Sequence, residues 1–185
     1  MKRILILACA LALSGVSSAA FAGEGFVRGE LGSSDVRLKA SGIGSESDKD
    51  TAYSLRGGYW FNSNFAVEGH YSRFYDQTLY DDGVDHVAAK LSAFGVGVVG
   101  KQYYTDSNLG LFVQVRAGIA RGKLSVDSNL GSGSESSTKP YYGIGAGYDF
   151  SRKFGMSLNY DHNQGNGGGL DITANTLSLG VEARF

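Results

Sequence analysis

The sequence predicts an all-β fold, an eight-stranded antiparallel up-and-down β-barrel that spans a membrane. Three observations carry this. Apolar residues alternate with small or polar ones along eight segments, the period of two that strands require. The connections between segments are alternately short and long. Aromatic residues collect at the two ends of the segments. The composition agrees, with 28 Gly, 1 Pro, 11 Tyr, 10 Phe and 1 Trp in 185 residues. At 42% apolar and 12% aromatic, the chain has ample material to bury, which excludes disorder from low hydrophobicity. Gly without a three-residue period, and almost no Pro, excludes collagen. A net charge of −1 argues against a nucleic-acid partner. No apolar stretch approaches the ~20 residues of a spanning helix.

Residues 1–22 read as a signal peptide for export across the inner membrane, and residues 23–185 as the barrel domain. Met1-Lys2-Arg3 is a positive segment, Ile4 to Leu13 an apolar run, and Ala20-Phe21-Ala22 a small-residue cleavage site. Cys9 would leave with that peptide, so the mature chain could form neither a disulfide nor a thiolate metal site. Without Lys2 and Arg3 the 17 basic residues become 15 against 18 acidic, a net of −3.

The eight segments follow in order. Gly25 to Leu31 opens the set. In Tyr53 to Phe61, the face of Tyr53, Leu55, Tyr59 and Phe61 opposes that of Ser54, Arg56 and Trp60. In the third, Phe65, Val67 and Tyr71 oppose Ala66, Glu68 and His70. Val87 to Tyr103 is the fourth. In the fifth, Leu111, Val113, Val115 and Ile119 oppose Phe112, Gln114 and Arg116. In the sixth, Tyr142, Ile144, Ala146 and Tyr148 oppose Tyr141, Gly143, Gly145, Gly147 and Asp149. Phe154 to Tyr160 precedes the last, where Leu177, Leu179, Val181, Ala183 and Phe185 oppose Ser178, Gly180, Glu182 and Arg184. Short connections at 62–64, 105–108 and 151–153 alternate with long polar ones at 33–51, 76–86, 127–139 and 162–171. A closed meander of this kind leaves no unpaired edge.

Alternation alone does not say which face is outside. Tyr59, Phe61, Phe65, Tyr103, Tyr148, Phe150, Phe154 and Phe185 fall at the short-turn rim. Tyr53, Tyr71, Phe74, Tyr75, Tyr142 and Tyr160 fall towards the long-loop rim. Two aromatic belts match two membrane–water interfaces. The stretches between them suit the ~9–11 residues of a tilted spanning strand. The apolar face therefore meets lipid.

GYWFNSNFAVEGHY, KLSAFGVGVVGKQYYTDSNLGLFVQVRAGIA, GIGAGYDF and the ending TLSLGVEARF resemble the small eight-stranded outer-membrane barrels of Gram-negative bacteria, which include the OmpA transmembrane domain and the OmpX/Ail-type surface proteins. The resemblance runs along the whole mature chain and implies residence in the cell outer membrane. It also implies that Leu179, Val181, Ala183 and Phe185 are the C-terminal signal read by the barrel-assembly machinery. The chain ends there, so the periplasmic peptidoglycan-binding domain of full OmpA is expected to be missing.

With the apolar face outward, Arg28, Glu30, Arg56, Glu68, Lys90, Arg116, Glu182 and Arg184 are expected in the lumen. An eight-stranded barrel is just wide enough for side chains to fill, so the expectation is an ion-paired plug. The alternative is a narrow solute pore. The glycines of the sixth segment would make room for long neighbours such as Arg116.

A second alternative is a lipid-modifying enzyme of the outer leaflet. Lipid A deacylase barrels use a His followed closely by a Ser; here His162 stands in Asp161-His162-Asn163-Gln164 without one. No catalytic, metal or cofactor site is therefore assigned. Gly95-Val96-Gly97-Val98-Val99-Gly100 fits G-x-G-x-x-G, but a dinucleotide site needs a helix after it. Lys101-Gln102-Tyr103-Tyr104 follows instead.

The long connections hold twelve acids and four bases, a net of −8. Just below them stand Arg73, Arg121 and Lys123, at the height where the outer leaflet presents lipid A phosphates. Arg and Lys bind phosphate well, so these three are expected to contact lipopolysaccharide as well as outer-membrane lipid. The connections have few large anchors, which argues against a preformed tight interface. The expected role is structural or cell-surface interaction, adhesion included.

Overall fold

A computed structural model describes residues 23–185, apart from 41–42, 82–85, 106–107, 129–130 and 168–169. The expectations for residues 1–22, and for the side chains of 38–48, 75–89, 126–132 and 167–171, Tyr75 among them, lie outside the described residues. Eight strands run in order: β1 Glu24–Ala40, β2 Ile43–Trp60, β3 Phe65–Asp81, β4 His86–Tyr103, β5 Gly110–Ser128, β6 Gly131–Asp149, β7 Phe154–Gly167 and β8 Leu170–Arg184. Each pairs antiparallel with its neighbours, and β1 pairs with β8 to close the barrel. Among the described residues there is no helix.

The alternation read from the sequence is the alternation of the wall. On β5, Leu111, Val113, Val115 and Ile119 are exposed while Phe112, Gln114 and Arg116 are buried. Eight steps of ~3.3 Å, tilted as barrel strands are, give Leu111 to Ile119 a height of about 20 Å, close to the apolar band of a bilayer.

The tight turns are fixed by side chains standing in for backbone. Asn62 Oδ1 accepts from the amides of Asn64 and Phe65 at 2.8 and 2.9 Å, and Ser151 Oγ accepts from those of Lys153 and Phe154 at 3.2 and 3.1 Å. Between β4 and β5, Asn108 takes φ 51° and Gly110 φ 91°, the left-handed region that Asn and Gly enter at least cost.

The other connections differ from the sequence expectation. The polar stretches read as long loops are largely strand: β1 and β2 stay paired from Glu24↔Trp60 to Ala40↔Ile43. Beyond the lipid no face has to be apolar, so the alternation fades while the ladder of backbone hydrogen bonds continues.

Two ladders stop early. β2–β3 ends at Tyr53↔Arg73 and β6–β7 at Tyr141↔Asn163. Pro140, which has no N–H to give, follows the end of the second. Past these points the wall divides into two four-stranded sheets, β7-β8-β1-β2 and β3-β4-β5-β6. They share an apolar core of Val36, Ile172 and Ala174 from one and Phe74, Leu91, Ala93, Ala120 and Tyr141 from the other.

Candidate functional site

Two clusters of charge fill the barrel interior. In the outer one, Arg56 on β2 reaches three carboxylates: Glu30 at 2.8 Å, Glu68 at 2.8 Å and Asp161 at 3.2 Å. Arg116 on β5 meets Glu30 at 2.9 Å and Asp161 at 2.8 Å. Tyr141 donates to Glu68 at 3.1 Å and Ser54 to Glu30 at 2.8 Å. Gly143 makes this possible, because a Cβ there would press on Asp161 and on Arg116 Cγ.

The inner cluster lies nearer the short turns. Arg28 pairs with Glu182, donating its Nε at 2.9 Å, and its guanidinium lies 5.5 Å from the Phe26 ring. Arg184 reaches Glu182 at 2.6 Å and Asp149 at 2.7 Å. Lys101 lies 3.3 Å from Asp149, with its ammonium 4.0 Å from the Phe112 ring centre and 4.6 Å from that of Trp60. Tyr103 donates to Asp149 at 2.5 Å. Arg28 and Glu30, 3.9 Å apart, join the two clusters. Among the described residues the network holds five cations (Arg28, Arg56, Lys101, Arg116, Arg184) and five carboxylates (Glu30, Glu68, Asp149, Asp161, Glu182). It balances without an added ion, as buried charge must.

Of the residues expected in the lumen, Arg28, Glu30, Arg56, Glu68, Arg116, Glu182 and Arg184 take part in this network. Lys90 does not. On β4 the odd-numbered Leu91, Ala93, Val99 and Lys101 are buried, so the even-numbered Lys90 points outward and is exposed. Tyr103 and Phe74, read as belt residues, also correct to the interior, at 7% and 4% exposure. Sequence reasoning left Lys101, Asp149 and Asp161 out of the lumen charges, although it set Asp149 on the inward face of the sixth segment. The signal for Asp161 was present: Ser157, Asn159, Asp161 and Asn163 are all buried and alternate with Met156, Leu158 and Tyr160.

The outer wall of β3–β6 carries further cations. Register places Arg73, Ser92, Lys123 and Ser136 in one cross-strand row of β3–β6, above a row of Tyr71, Phe94, Arg121 and Thr138. Lys90 continues the patch two residues above Ser92, opposite Asp76 in the ladder. Arg73 donates to the Tyr53 hydroxyl at 2.9 Å. Across the barrel, His162 stacks on Tyr142 at 4.8 Å. Its Nδ1 lies 2.7 Å from Asn175 Oδ1 and its Nε2 3.1 Å from Gln164 Nε2, so both ring nitrogens face amides. At the chain end, Leu179, Val181 and Phe185 face out and Ala183 is half-buried. Phe185 exchanges two backbone hydrogen bonds of 2.9 Å with Gly25.

The family described as "Outer membrane protein beta-barrel domain" matches residues 8–185. The chain belongs to this family. This outer-membrane barrel resembles in fold the N-terminal β-barrel domain of Pseudomonas aeruginosa OprF, at 18% identity over 88% of this chain and 99% of that one, TM-score 0.58. Neisserial surface protein A is 18% identical over 87% and 97%, TM-score 0.67. Ail, the attachment invasion locus protein of Yersinia pestis, solved with the heparin analogue sucrose octasulfate, is 21% identical over 88% and 99%, TM-score 0.60. A search of curated proteins finds no match. The barrel is a resident of the outer membrane.

Proposed function

We propose that this barrel is a non-conducting, non-catalytic protein whose role is structural and surface-interactive: it holds its strand-borne connections outside the cell, and its outer wall contacts lipopolysaccharide through Arg73, Arg121 and Lys123. One observation carries the reading. The interior is occupied along its length: Phe26, Trp60, Ala66 and Val99 pack among the charges of the inner cluster, the outer cluster follows, and the apolar core of the two sheets closes the other end. A solute pathway would have to break all three. A void beside the outer ionic cluster, lined by Glu30, Arg56, Ser72 and Asp161 among others, measures about 10 Å³, no more than one water. What remains for recognition is the outside. The attachment and surface proteins among its structural relatives, Ail and Neisserial surface protein A, make an adhesive role a reasonable direction. Leu179, Val181, Ala183 and Phe185 are the proposed signal for the barrel-assembly machinery.

Planar-bilayer recording tests the closed interior. We expect no sustained openings in the wild-type protein; porin-sized steps would overturn the reading.

A further inference from the structure

Resting on the reading that this wall meets lipopolysaccharide, we propose that one groove in it seats a single glycosyl phosphomonoester of an outer-leaflet glycolipid, bound directly by Arg121 and Lys123. The groove has a volume of about 510 Å³ and is lined by Tyr71, Ser92, Phe94, Arg121, Lys123, Glu135 and Ser136. Arg121 and Lys123 stand two residues apart on one strand face, hence ~7 Å between Cα atoms, a gap that one phosphate bridges. Arg121 donates to Ser136 Oγ from Nε at 3.2 Å and from Nη2 at 2.8 Å. That leaves the rest of its five-donor fork oriented for a ligand. A phosphomonoester carries about −1.5 to −2 charge near neutrality, which suits two cations better than the single charge of a phosphodiester headgroup. Ser92 and Ser136 offer hydroxyls at the level of a sugar.

The apolar half of the ligand has a place as well. Tyr71 and Phe94, 46% and 62% exposed, form the row next to Ser92 on the membrane side, where acyl chains begin. Arg73 and Lys90 flank the seat and add to its field. Among the described residues of the opposite wall, the outward Arg37 lies 3.3 Å from Asp35, a carboxylate that competes with any phosphate there. The seat therefore belongs to one side of the barrel, and its occupancy is one lipid per chain.

Native mass spectrometry and titration of the full barrel in detergent test this, with bisphosphorylated lipid A, dephosphorylated lipid A and phosphatidylglycerol as probes. We expect one bisphosphorylated lipid A retained. Arg121→Gln/Lys123→Gln should weaken it about tenfold or more, the scale of two charge-assisted hydrogen bonds. Arg37→Gln should leave it unchanged, and Glu135→Gln should leave it unchanged or tighter. Heat-modifiability gels confirm that each variant is folded. Equal retention of phosphatidylglycerol would overturn the seat while sparing general anionic contact. Weaker, chelator-sensitive binding in Glu135→Gln would also overturn it, because the phosphate would then be held through a divalent cation. If neither the double variant nor Arg73→Gln/Lys90→Gln changes lipid A binding, the lipopolysaccharide reading itself fails.

Discussion

Removal of Arg56 measures what the interior network is worth. Its guanidinium touches three carboxylates, but the loss is not shared equally. Without it, Glu30 keeps Arg116 at 2.9 Å and Ser54 at 2.8 Å, and Asp161 keeps Arg116 at 2.8 Å. Glu68 keeps only the Tyr141 hydroxyl at 3.1 Å, and its Oε2 has no hydrogen-bond partner among the described residues. Arg56→Met therefore strands one buried carboxylate, which costs about 3–5 kcal/mol. Neutralising that group removes the cause, so Arg56→Met/Glu68→Gln should cost only about 1–2 kcal/mol, about 2–3 kcal/mol less than the single variant. Urea unfolding in phospholipid vesicles is the assay, read from Trp60, the only Trp of the chain and 5% exposed. The comparison holds where the m-values agree. A single variant that loses under 1 kcal/mol, or a double variant no better than the single, would mean that water and not Arg56 solvates Glu68.

Other substitutions separate packing from charge. Gly97 and Gly118 pair across β4–β5, and a Cβ at Gly97 would come 2.6 Å from the Ala117 carbonyl oxygen and 3.1 Å from Tyr141 Cζ. Gly97→Ala should cost about 1–3 kcal/mol by overpacking, whereas Gly29→Ala, with nothing within 4 Å, should be near neutral in the same unfolding assay. Lys101→Met leaves one buried negative charge in excess but should cost less than Arg56→Met, about 1–2 kcal/mol, because Asp149 keeps Arg184 at 2.7 Å, Glu182 keeps it at 2.6 Å, and the aromatic surroundings accept a thioether. A loss as large as that of Arg56→Met would make Lys101 a structural ion in its own right. Phe185→Ala should lower the amount of folded barrel in cells while leaving refolding into vesicles unchanged; a parallel loss in both would assign Phe185 to barrel closure instead of assembly.

The sequence made the membrane-embedded part legible because lipid imposes the pattern there. A residue facing hydrocarbon has to be apolar and its neighbour facing the lumen is free to be charged, so Val113, Gln114, Val115 and Arg116 declare their sides. Lys90 escaped because Ala88, Ala89 and the glycines at 95, 97 and 100 give β4 little contrast on either face. Its side is settled only by counting in twos from Lys101, which charge alone does not identify as internal. The inward aromatics escaped for another reason. A belt residue and a plug residue both sit at a strand end, and composition cannot separate Tyr103, hydrogen-bonded to Asp149, from an exposed rim tyrosine such as Tyr148. The Gly-x-Gly-x-x-Gly run finds its use here too: Gly97 clears the space that the Tyr141 ring fills on its way to Glu68.

The outer end of the barrel is where sequence and structure part most, and the difference bears on recognition. Gly-, Ser- and Asp-rich stretches read as pliant loops. Paired strand instead carries β2 ten residues past Tyr53 and β6 ten residues past Tyr141, a reach of about 30 Å at ~3.3 Å per residue before tilt. The backbone there is already ordered by its ladder and by the core of Phe74, Leu91 and Ile172. A partner meeting these strands has less loop ordering to supply, a cost that flexible segments add to every binding event. For the surface role proposed above, few large side chains and a paired backbone together favour broad, modest contacts over a single deep anchor.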